Sequence, residues 1–126
     1  EEYTTSLIIV THNLGVVARY ATRIYVMYAG HVVEHGSSDD IFENPRHPYT
    51  IGLLACVPQL GETRSTRKLV PILGLPPNLI NMPSNCAFYP RCRFRTRQCQ
   101  QEPWPPLRQV AENHYVSCYV DTSEKK

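Results

Sequence analysis

Eight of the eleven prolines in this 126-residue chain lie beyond residue 58, so its two halves cannot fold by the same means. A proline removes a backbone donor and fixes φ, which excludes regular helix interiors and central strands wherever prolines crowd. The stretch "LVPILGLPPNLINMPSN" is therefore an irregular, mostly extended segment. A chain this short buries one modest core, and a proline-rich half needs a further staple. The natural boundary falls near Gln59, which divides residues 1–58 from residues 59–126.

The first half carries periodic patterns. Leu7 to Val10 form a continuous, β-branched-rich run of the kind covered on both faces in a parallel sheet. Asn13 stands where a helix cap is needed, ahead of Leu14, Val17, Ala18 and Ala21 on one helical face. Ile24 to Tyr28 and His31 to Glu34 read as a β-hairpin turning at Ala29 and Gly30, with Gly36 as its end. Ser37, Ser38, Asp39 and Asp40 signal the start of a short helix running through Phe42 and stopping before Pro45. Pro48 opens another helix that Pro58 terminates, with Cys56 as a small core side chain. The fold class is thus α/β: a parallel strand, a helix, a β-hairpin and short helices, followed by an irregular extension. A parallel strand needs parallel neighbours reached by long crossovers, and six residues cannot supply them. The expectation is that this is part of a larger α/β sheet.

The staple of the second half is in its cysteines. Cys86, Cys92, Cys99 and Cys118 are separated by five, six and eighteen residues. Five cysteines in all, and no secretion signal, favour a reducing compartment and metal ligation over disulfides. Structural zinc favours pairs two to four residues apart, whereas wider gaps suit a bulkier group such as an iron–sulfur cluster. Spacing leaves zinc and iron–sulfur both open, and two disulfides as well.

Four arginines, Arg91, Arg93, Arg95 and Arg97, alternate through the same segment. In an extended chain they share one face opposite Phe94, placed to offset an anionic group or meet an acidic surface. A competing reading makes "RCRFRTR" a nucleic-acid contact with Phe94 or Trp104 stacking on bases. The net charge of +2 and the lack of a recognised motif argue against nucleic acid. Trp104 is expected to plug the cysteine lobe. His114, four residues before Cys118, is a candidate ligand or a histidine bonded to backbone. "DTSEKK" reads as a solvated tail. No apolar stretch is long enough to span a bilayer.

"IIVTHNLGVVARYATRIYVMYAGHVVEHG" resembles the end of the nucleotide-binding domain of ATP-binding cassette transporters. "IFENPRHPYTIGLL" and the cysteine tail are similar to the dipeptide, oligopeptide and nickel importer ATPases and their C-terminal extension. Asn13 stands where that family usually shows aspartate, and Asn85 where glycine often precedes the first tail cysteine. The resemblance implies that His12 is the switch histidine that reaches the γ-phosphate of ATP. It implies a 4Fe-4S cluster on Cys86, Cys92, Cys99 and Cys118, with zinc as the alternative. It also implies ATP and magnesium in the intact protein only, since no G-x-x-x-x-G-K-[ST] loop occurs here. The piece by itself is then expected to be inactive. The implied partners are a second ATPase subunit and membrane-spanning permease subunits, with no direct peptide binding. The implied location is peripheral, on the cytoplasmic face of the membrane. The alternative is a free-standing zinc or iron–sulfur module that senses metal or redox state.

Overall fold

The computed structural model describes residues 5–56 and 71–123. Pro58 and the expected boundary near Gln59 lie outside the described residues.

A β-hairpin is the frame. Strands β1 (Arg23–Tyr28) and β2 (His31–Ser37) pair antiparallel across a turn in which Ala29 has φ 49° and Gly30 φ 81°. Two successive left-handed residues give the tight turn whose twist matches that of the strands. Val26 faces Glu34 while Met27 faces Val32, so Val33 is the extra residue of a bulge and turns fully into the core. Gly36 does not end the hairpin but sits inside β2. A Cβ there would lie 3.2 Å from both Asp40 Cβ and His114 Cδ2, so the glycine admits a close crossing.

Two strands come from the proline-rich half, where an irregular extension was expected. Strands β3 (Arg108–Ala111) and β4 (His114–Val116) form a second hairpin, and β4 pairs with β2. The sheet order is β1-β2-β4-β3, with every neighbour antiparallel. One sheet therefore joins segments from both sides of the proline transition. Strands of four and three residues show too little alternation to be read in sequence.

The parallel strand expected at Leu7 to Val10 is not formed. Leu7, Ile8 and Val10 are 80, 90 and 97% exposed, and the run pairs with no strand among the described residues. A run apolar on both sides gains nothing from pairing unless both faces are covered, and this sheet offers no parallel neighbour.

The helices follow their caps. In α1 (Leu14–Tyr20) the Asn13 carboxamide oxygen accepts from the N–H groups of Gly15 and Val16, at 3.0 and 3.3 Å. In α2 (Ser38–Glu43) Ser37 and Asp40 form the reciprocal capping box that the serine–aspartate pattern implied. Helix α3 (Pro48–Ala55) begins with proline at its first position, and Cys56 is its half-buried C-cap. Tyr28, Tyr49 and Phe88 meet with ring centroids 4.7 to 5.5 Å apart, locking the hairpin, α3 and the cysteine segment into one core.

Candidate functional site

Cys86, Cys92, Cys99 and Cys118 line one pocket, closed by His47, Pro48, Phe88, Tyr89, Pro105 and neighbours. None of the four is in a disulfide. Each arrives on a different local element. Cys86 opens the turn into a 3-10 turn at Tyr89–Arg91, which Cys92 caps. Cys99 lies in α4 (Arg97–Gln101), and Cys118 follows β4. Asn85 fixes the first of these turns by donating its Nδ2–H to the Gln100 carbonyl at 2.9 Å.

Polar groups lie close to the sulfurs. The N–H of Val120 donates to the Cys118 sulfur at 3.4 Å, and backbone N–H groups at Phe88 and Tyr89 near Cys86, and at Phe94 near Cys92, act to lower those thiols. Cys99 instead has the Thr96 hydroxyl 3.3 Å from its Sγ. Every sulfur thus has a polar neighbour suited to a thiolate. Burial nevertheless pushes the Cys92 thiol up to about 11 and the Cys118 thiol up to about 12, and raises Cys86. Their mutual repulsion adds to the rise, and the backbone donors oppose it. Such thiols ionise when a cation displaces the protons.

The donor set is chemically soft, with four sulfurs and no carboxylate lining the pocket, which suits zinc, copper(I) or an iron–sulfur group. Among the described residues, however, no three His, Cys, Asp or Glu side chains are grouped so as to hold a metal ion.

The arginines do not form the extended, one-faced row expected of them, because the 3-10 turn and α4 fold the segment up. Arg91 bonds the Tyr28 hydroxyl and the carbonyls of Ile72 and Leu73. Arg93 lies over the Phe94 ring, and Arg95 bonds the Pro90 carbonyl beside the Tyr89 ring. Arg95 acts on a thiol, lowering Cys92 by its charge. Trp104 packs against the core cluster of Phe88 and Cys92, but it also stacks on His31 at 4.1 Å and donates to Ser117 Oγ. It braces the hairpin turn more than it plugs the thiol pocket.

His114 does not line the thiol pocket. It is fully buried between strands, with Nε2 2.8 Å from Glu34 Oε1 and Nδ1 4.0 Å from Asp40 Oδ1. Glu34, also fully buried, accepts in addition from the N–H groups of Arg46 at 2.6 Å and His47 at 2.9 Å. This carboxylate hub ties β2 to β4 and fixes the loop before α3. Thr122 adds to the same loop by donating to the Arg46 carbonyl, so the chain's end is not wholly a solvated tail. Glu34 and His47 gave no sequence signal beyond a charged residue in a strand and a histidine ahead of proline.

His12 stands apart, exposed in the bend before α1 and outside the thiol pocket. No helix among the described residues is long and apolar enough to cross a membrane.

Comparison with known proteins adds the family context. The oligopeptide/dipeptide transporter C-terminal region family matches residues 33–99, more than half of the chain. A putative peptide import ATP-binding protein of Brucella ovis is 50% identical over 116 residues, covering 89% of this chain and 34% of that protein. The oligopeptide transport ATP-binding protein OppD of Bacillus subtilis is 47% identical over 117 residues, covering 92% and 32%. OppD of Escherichia coli is 39% identical over 123 residues, covering 98% and 35%. The chain spans about a third of the length of the curated relatives it matches.

Proposed function

Since the chain belongs to the oligopeptide/dipeptide transporter C-terminal region family, we propose that it serves as the C-terminal part of the ATP-binding subunit of a peptide importer. The observation that carries this reading is the alignment of nearly the whole chain with peptide-import ATP-binding proteins at 39 to 50% identity. ATP and magnesium are bound only in the intact subunit, whose phosphate-binding loop is supplied by residues outside this chain. The subunit works with a second ATPase subunit and membrane-spanning permeases, peripherally on the cytoplasmic face.

Two features of the chain find a use in that setting. The exposed Leu7 to Val10 run becomes a strand once parallel neighbours of the nucleotide-binding domain flank it. That strand carries His12 to the γ-phosphate, where an imidazole donor orients water or offsets charge during phosphoryl transfer. The four pocket thiols hold a 4Fe-4S cluster. Support comes from their convergence on one pocket lined by no carboxylate, and from the backbone N–H that Val120 donates to the Cys118 sulfur. When bound, the cluster supplies a covalent staple and a one-electron centre to the proline-rich half.

The test uses the intact ATP-binding subunit assembled with its permeases in proteoliposomes. His12→Ala should lower ATP hydrolysis and peptide uptake at least about 100-fold while leaving ATP binding intact. Unchanged turnover would overturn the assignment of His12. Hydrolysis that drives no peptide uptake in the unaltered assembly would overturn the importer reading.

A further inference from the structure

The thiol pocket is lined by three side chains, apart from its cysteines, that carry an N–H or O–H group: His47, Tyr89 and Tyr119. Two of them are spent elsewhere. The Tyr89 hydroxyl donates to Gln100 Oε1 at 3.3 Å, and the Tyr119 hydroxyl donates to the Pro103 carbonyl at 2.8 Å. That leaves His47.

His47 is 2% exposed and held at two points. Its backbone N–H is fixed by Glu34 Oε2, and its Nδ1 accepts the Tyr49 N–H at 3.0 Å as the cap of α3. A ring nitrogen that accepts carries no proton, so the single proton of the neutral ring resides on Nε2. Nε2 is on the opposite edge of the imidazole from the cap. The groups that hydrogen-bond the ligands of a metal site are commonly rigid donors of this kind, set by a hydrogen bond at the far nitrogen. Burial alone lowers His47 to about 3, in keeping with an uncharged ring.

Resting on the iron–sulfur reading above, we propose that His47 donates its Nε2–H to sulfur in the thiol pocket and thereby sets the reduction potential of the cluster held there. A donor at sulfur favours the more negative, reduced state, so removing it moves the potential to more negative values.

The test compares the full chain with His47→Asn and His47→Gln, purified without oxygen, by iron and sulfide content and by redox titration with dithionite and mediators. Asparagine keeps a cap acceptor for the Tyr49 N–H but is too short to reach the pocket, while glutamine reaches further and restores a donor. The expected result is unchanged iron and sulfide in all three, a more negative potential for His47→Asn, and partial return toward the unaltered value for His47→Gln. Equal potentials in all three, or loss of iron from both variants, would overturn the proposal and leave His47 as a helix cap alone. Absence of iron and sulfide from the unaltered chain would instead overturn the iron–sulfur reading itself.

Discussion

Replacing Glu34 should do more damage than any other single change in the sheet. Its carboxylate satisfies the N–H groups of Arg46 and His47 and the Nε2 of His114, at 2.6, 2.9 and 2.8 Å, with no exposure to solvent. Glu34→Ala leaves all three without a partner. A buried donor left unsatisfied costs about 1–3 kcal/mol, so the loss is roughly 3–6 kcal/mol after some water enters the space. Glu34→Gln keeps one acceptor oxygen but turns an N–H₂ toward a second donor, and should cost roughly 1–3 kcal/mol. A domain with about 5–15 kcal/mol in total survives the second change and scarcely the first. Urea unfolding followed by circular dichroism measures both, with a constant m value as the check that the native state is unchanged. Adding His114→Ala to Glu34→Ala removes a partner already orphaned, so the pair should be less than additive by at least about 1 kcal/mol. A Glu34→Ala loss below about 1 kcal/mol, or strict additivity with His114→Ala, would refute the hub.

Gly36→Ala places a Cβ 3.2 Å from Asp40 Cβ and His114 Cδ2, and should cost roughly 1–3 kcal/mol in the same unfolding assay. Acid should also destabilise the chain through His47, whose burial lowers it from 6.5 to about 3. The unfolded chain binds that proton more readily, so this contribution is complete above about pH 6.5 and is lost as pH falls toward 3. The loss is on the order of 5 kcal/mol, and the acid slope should flatten in His47→Asn.

Much of the first half was legible because its signals are local. Asn13, the Ser37–Asp40 box, Pro48 and the Ala29–Gly30 turn each act within three or four residues, and each stands where its chemistry indicated. Illegible parts depend on distant partners. Leu7 to Val10 has the composition of a buried strand, yet a strand exists only when another lies beside it. Strand β4 is three residues long and is made by its pairing with β2, about eighty residues earlier in the chain. Alternation of the arginines assumed an extended backbone, which Pro90 and α4 replace with turns. The four thiols could be singled out by spacing, but His47 could not, because a histidine before proline says nothing about which pocket it lines.

The content of the thiol pocket tests the central claim most directly: iron, sulfide and zinc per chain in protein purified without oxygen, with the visible spectrum. The expected result is about four irons and four sulfides per chain with a broad brown absorption. Each of Cys86→Ser, Cys92→Ser, Cys99→Ser and Cys118→Ser should lose them, and Cys56→Ser should not. One zinc per chain, or a colourless protein whose four tail cysteines pair as cystines, would contradict it.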